Sequence, residues 1–159
     1  MEADALWIES YKGEALGERL FGLLAERQID ATRRAQLEVL ATLEGATKEL
    51  AEPVLSQRAL APVDLEDTIA DAEKFADAVA DLTWEQFLGS FEPVISQFLD
   101  KYRRLVDLAA DEAERAVAHA YVAHELALAA FIRRSLNGES GEPLEEIRAL
   151  PHVAAALTA

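Results

Sequence analysis

Three glutamates and one histidine fall where a helical protein ordinarily keeps apolar side chains. At about 100° per residue, Leu37, Leu40, Glu44, Thr47, Ala51 and Leu55 share one helical face, with Glu44 in its middle. A second stripe, Val117, Tyr121, His124, Glu125, Leu128 and Ile132, sets a carboxylate beside an imidazole. Near the N-terminus two stripes compete. Trp7, Ser10, Glu14, Gly17, Phe21 and Leu24 would turn Glu14 inward, whereas Leu6, Glu9, Gly13, Leu16 and Leu20 would turn Glu9 inward. A carboxylate on an apolar face is costly unless it is paired, protonated or bound to a cation. Hard carboxylate oxygens grouped with an imidazole are ligand chemistry for a cation. A structural reading of the same residues stands beside this one. Glu14 would sit at a helix edge against Arg19 or Lys12, and His124 would be a satisfied, half-buried histidine. The inner glutamates would then hydrogen-bond Thr47, Tyr121, Ser10 or each other. His119 lies on the opposite face and is expected in solvent.

Four stretches of helical periodicity must position these groups: about Ala5 to Gln28, Thr32 to Gln57, Thr83 to Ala109, and Asp111 to Asn137. Pro53 weakens the end of the second. Thr83 with Gln86 has the capping-box pattern, Asp111 with Glu114 opens the fourth helix, and Asn137–Gly138 closes it. The first and second helices, and the third and fourth, are joined by very short turns, which makes each pair an antiparallel hairpin. Between the pairs, Arg58 to Leu82 is long enough to cross from one end to the other, leaving helices two and three parallel. It carries its own stripe of Leu65, Ile69, Ala72, Ala76 and Val79. A short helix is expected from Leu144 to Leu150, followed by Pro151 and an Ala-rich end. The fold class expected is all-α: one domain over residues 1–159, a ferritin-like four-helix bundle with a long, partly helical crossover and a short C-terminal helix.

The run Gly13-Glu14-Ala15-Leu16-Gly17-Glu18-Arg19-Leu20-Phe21 resembles the first helix of rubrerythrin-type ferritin-like proteins. That resemblance implies a glutamate from each of four helices, with Glu-x-x-His on the second and fourth, around two iron or manganese ions. Carried over, the ligands are Glu14, Glu44 and Glu125. Thr47 and Leu128 stand where the two histidines belong, and His124 is offered as a displaced substitute. The third helix departs furthest. Its stripe of Trp84, Phe87, Leu88, Phe91, Ile95, Phe98, Leu99, Tyr102 and Leu105 holds no acid, and Glu92 lies on its flank beside Pro93. The resemblance therefore implies a divergent member whose dimetal site is degenerate or lost, with no assignable reaction. The alternative it leaves is an iron- or manganese-binding metalloprotein, an oxidoreductase in that case, using Glu14, Glu44, Glu125 and His124 for two metals or one.

Composition narrows the function classes. Of 159 residues 51% are hydrophobic and 28% charged, a globular balance. The net charge of −15 disfavours nucleic acid and anionic membrane surfaces as partners. No cysteine is present, so disulfides, thiolate nucleophiles and iron–sulfur clusters are excluded. Gly-rich phosphate loops and a serine elbow are absent. The acidic start, Met1-Glu2-Ala3-Asp4, is unlike a signal peptide, and the expected compartment is the cytoplasm. A homodimer partner and a small apolar ligand are left open.

Overall fold

A computed structural model describes all 159 residues, and every regular element in it is a helix. In chain order they are α1 (Glu2–Arg27), α2 (Ala31–Leu50), α3 (Glu52–Gln57), α4 (Glu66–Ala78), α5 (Trp84–Gly89), α6 (Glu92–Leu108), α7 (Glu112–Asn137), α8 (Glu145–Ala149) and α9 (Pro151–Leu157). Caps fix the boundaries. Asp30 accepts from the Arg33 amide, Thr83 and Gln86 cap reciprocally, and Asp111 accepts from the Glu114 amide. Gly138 ends α7 at φ 61, a left-handed conformation that a side chain would resist.

The prolines correct the sequence expectation twice. The second helix does not run unbroken to Gln57; it stops at Leu50 and resumes as α3. Pro53 has no N–H to offer the carbonyl four residues back, so the chain restarts with Pro53 in a first turn, where that N–H is not needed. Pro93 does the same to the third helix, which is divided at Ser90–Phe91 into α5 and α6 rather than continuous from Thr83 to Ala109. The Ala-rich end beyond Leu150 also differs from expectation, forming α9.

Cross-chain pairs give the directions. Gln28 meets Arg34 and Glu18 meets Lys48, so α1 and α2 are antiparallel. Glu2 pairs with Arg104, Glu9 with Lys101, and Phe21 packs on Phe91, so α1 and α6 are antiparallel too. Helices α2 and α6 therefore run the same way, as the long connection predicted. Within it, α4 lies along α1 in the same direction, with Arg19–Glu73 and Arg27–Asp77 bridging them. Its small residues Ala72 and Ala76 pack directly on Leu20 and Leu23.

The core is divided. One apolar cluster gathers Phe21, Leu37, Leu40, Leu43 and Phe131, together with Leu144, Ile147 and Val153 from the C-terminal helices. A second, beside the small α1–α4 cluster, gathers Trp7, Leu55, Tyr102, Leu105 and Tyr121. Each such side chain contributes about 1.5–3 kcal/mol by leaving water. The stripes of α1, α2 and α7 all pass from one cluster to the other through their polar residues.

Candidate metal centre

That polar layer consists of Glu14 from α1, Glu44 from α2, and His124 and Glu125 from α7. All four are buried, with Glu14 1% and His124 0% exposed. The sequence left Glu9 and Glu14 as rivals; the structure turns Glu14 in and sends Glu9 to the surface, where it pairs with Lys101. His119 is exposed. Gly17, one turn beyond Glu14, makes room for the neighbouring carboxylate: a Cβ there would lie 2.9 Å from Glu44 Cδ.

His124 is the hub. Its Nε2 stands 3.0 Å from Glu14 Oε2, 3.4 Å from Glu44 Oε2 and 3.9 Å from Glu125 Oε1. Ligand atoms of Glu14, His124 and Glu125 lie within 4.8 Å of one another. Its other nitrogen, Nδ1, is 2.5 Å from the Tyr121 carbonyl oxygen. Yet Nε2, Glu14 Oε2 and Glu125 Oε2 have no hydrogen-bond partner, so even the 3.0 Å approach is not a well-directed N–H···O bond.

Burial sets the charges. It drives the Glu44 carboxyl well above its ordinary pKa, and the neighbouring Glu14 adds to the shift. Burial likewise raises Glu125 to about 7, an effect that His124 partly offsets. For His124 burial acts downward, but Glu14 and Glu44 outweigh it and hold the imidazole well above its usual value. The layer thus attracts positive charge, which a proton or a cation can satisfy.

Several sequence expectations need correction. The inner glutamates do not hydrogen-bond Thr47, Tyr121 or Ser10; the buried hydroxyls of Tyr121 and Ser10 have no partner at all. Glu14 does not pair with Arg19 or Lys12. It accepts instead from Tyr102 Oη at 2.6 Å, so α6 does reach the centre, through a phenol rather than an acid. Tyr102 reads in sequence as one more member of an apolar stripe, and nothing in the spacing marks its hydroxyl. Thr47 is committed elsewhere: it donates to the Leu43 carbonyl at 2.7 Å, and His152 Nε2 of α9 lies 2.9 Å from its hydroxyl. Nothing in the sequence marks His152, because the Ala-rich end carries no stripe that would place it against α2. Glu92 is exposed, as its flank position implied.

Glu14, His124 and Glu125 could together hold a single cation, whereas Glu44, though 3.4 Å from His124 Nε2, lies outside the set whose ligand atoms are all within 4.8 Å of one another. Ligands at right angles around an ion at about 2.1 Å lie roughly 3 Å apart, and opposed ones about 4 Å apart. The distances from Nε2 to its three carboxylate neighbours fall within that span. Two cations sharing the site would need a further carboxylate from α6, and α6 brings only the Tyr102 phenol. A separate surface cavity of about 590 Å³ lies between the ends of α1 and α4 and the starts of α2 and α5; Leu24, Leu37, Trp84 and Phe87 line it, and none of the four buried polar residues does. No helix is long and apolar enough to cross a membrane. No family model matches the chain, nor does any curated protein or solved structure.

Proposed function

We propose that this protein is a divergent ferritin-like four-helix bundle (α1, α2, the α5–α6 pair and α7) whose dimetal site has shrunk to a centre for one divalent cation. Iron and manganese suit its ligands best: carboxylate oxygens of Glu14 and Glu125 with the imidazole of His124, and Glu44, 3.4 Å from that imidazole, joining them by a side-chain shift. The cation would supply Lewis acidity or one-electron chemistry, and no substrate or reaction follows from the site. The single observation that carries this reading is the convergence of buried, unpartnered ligand atoms on His124 Nε2. The Nδ1 contact to the Tyr121 carbonyl supports it, because it fixes the tautomer that leaves Nε2 free to coordinate.

Protein purified without chelator or histidine tag should carry about one iron or manganese per chain. Chelator-stripped protein should gain thermal stability when Mn²⁺ is added, since binding to the native state alone stabilises it. Glu44→Gln should weaken uptake and abolish most of that gain. A wild type with no metal and a melt indifferent to chelator, with Glu44→Gln equally or more stable, would establish the rival reading. In that case the layer is neutralised by protons alone, and the protein acts by association or by holding an apolar ligand.

A further inference from the structure

We propose that Tyr102, Tyr121 and Trp7 form a one-electron path that carries an oxidising equivalent from the Glu14–His124 centre to Trp7, in the first turns of α1. The path takes its oxidant, an oxidised transition-metal ion, from the reading above. The three rings are fully buried and consecutive. Tyr102 and Tyr121 meet edge to face at 5.1 Å between centroids, and Tyr121 and Trp7 at 5.7 Å. The His124 ring lies 5.7 Å from Tyr102 and 5.8 Å from Tyr121, so the hydroxyl partner, not ring distance, makes Tyr102 the entry. The other large aromatic side chains buried in the core, Phe21, Phe87 and Phe131, are phenylalanines and far harder to oxidise.

A phenol that loses an electron becomes a strong acid and an indole one comparable to a carboxylic acid, so a hole settles best where a carboxylate can take the departing proton. Both ends of this path have one. Tyr102 Oη donates to Glu14 Oε1 at 2.6 Å, and Trp7 Nε1 donates to Glu114 Oε1 at 2.5 Å. The middle ring has none: the Tyr121 hydroxyl is buried and unpartnered. Tyr121 is therefore a bridge, and the hole rests at the ends. In the first step Tyr102 gives one electron to the oxidised ion and its hydroxyl proton to Glu14. In the second, Trp7 gives one electron through Tyr121 to the Tyr102 phenoxyl and its N–H proton to Glu114, while Glu14 returns its proton to Tyr102. The oxidant is reduced by one electron and Trp7 is left as the neutral indolyl radical. Glu114 is 5% exposed and held by Arg58, whose side chain is 18% exposed, so the path ends close to the surface. Aromatic packing alone would account for the contacts between rings, and a buried phenol or indole usually finds some partner. It does not account for a carboxylate at both ends and none in the middle.

The path can be tested without any metal. The chain lacks cysteine, so Arg103→Cys, exposed and adjacent to Tyr102, offers one attachment point for a ruthenium polypyridyl photo-oxidant. In a Trp84→Phe background, flash oxidation of the label should yield an indolyl radical by transient absorption and by electron paramagnetic resonance. Trp7→Phe should move the radical to tyrosine. Tyr102→Phe, which keeps the ring, and Tyr121→Leu should each slow indolyl formation by an order of magnitude or more, with circular dichroism confirming the fold. No indolyl radical, or rates unchanged in Tyr102→Phe, would overturn the path. Light supplies the oxidant here, so an absence of metal uptake would defeat the metal-centre reading and not this result.

Discussion

His124 and Tyr121 are one helical turn apart on α7, and the imidazole Nδ1 lies 2.5 Å from the Tyr121 carbonyl oxygen. A carbonyl can only accept, so Nδ1 carries a proton and the chemistry of the ring is exported through Nε2. In the metal-free protein that nitrogen is the one positive partner three glutamates share.

Replacing His124 with Gln should therefore do two things. It should reduce metal uptake, and at neutral pH it should destabilise the stripped protein by about 3–5 kcal/mol, the usual consequence of leaving buried carboxylates without their partner. The loss should shrink at pH 5, where Glu44 and Glu125 hold protons. Denaturant unfolding of stripped wild type and variant at the two pH values checks this; equal losses at both would argue that the change is packing alone.

Gly17→Ala probes the space rather than the charge. Its Cβ would meet Glu44 Cδ at 2.9 Å, and that carboxylate is walled in by α1 and α7. Glu44 must move, at about 1–3 kcal/mol. Helix propensity acts the other way by about 1 kcal/mol. The expected outcome is a small net change in stability with a clearly weaker Mn²⁺ affinity, read by titration. An unaltered affinity would remove Glu44 from the ligand set.

Glu125 contributes one slope to the pH dependence of the stripped protein, beside those of the same sign from Glu44 and His124. Its folded pKa of about 7 lies above the ordinary 4.5, so the native state binds this proton more tightly than the unfolded chain does. The resulting stability is fully present below 4.5 and is lost as pH rises to 7, a change of about 3 kcal/mol. Glu125→Gln should remove that slope. Bound cation should also remove it, by displacing the proton.

The divided core explains how much of this was legible in the sequence. Glu14, Glu44, His124 and Glu125 stood out because each interrupts an apolar stripe, and periodicity is a property of one helix at a time. Short turns and one long connection were enough to orient the helices. What escaped was whatever depends on a meeting between helices. Tyr102 looks like core until Glu14 is opposite its hydroxyl. Glu114 looks like the partner of the Asp111 cap, and its carboxylate turns instead to Trp7, Arg58 and the Ala110 amide. The breaks at Pro53 and Pro93 are half visible: each proline can end a helix, but the helices on both sides of it contribute to the core, so the apolar periodicity runs across the break.

His152 carries the last prediction. Thr47 gives its proton to the Leu43 carbonyl, so it can only accept from His152, which must present Nε2–H. Burial and the nearby positive His124 lower the His152 pKa to about 4. A histidine depressed in the fold remains neutral there while the unfolded chain takes up a proton below its ordinary 6.5. Its contribution is thus fully present above 6.5 and is lost as pH falls toward 4, the reverse of Glu125 over an overlapping window. In wild type the two slopes oppose each other. His152→Gln keeps a donor for Thr47 and removes the acid penalty, so the stripped variant should become steadily more stable than wild type between pH 6.5 and 4.5. Thr47→Val should instead cost about 1–3 kcal/mol at neutral pH by orphaning the imidazole N–H. It should also speed amide exchange in α9, whose Val153 is buried in the core. Melts across this pH range, with exchange measured at the α9 amides, read both. A His152→Gln curve parallel to wild type would mean that the imidazole is not held neutral against α2.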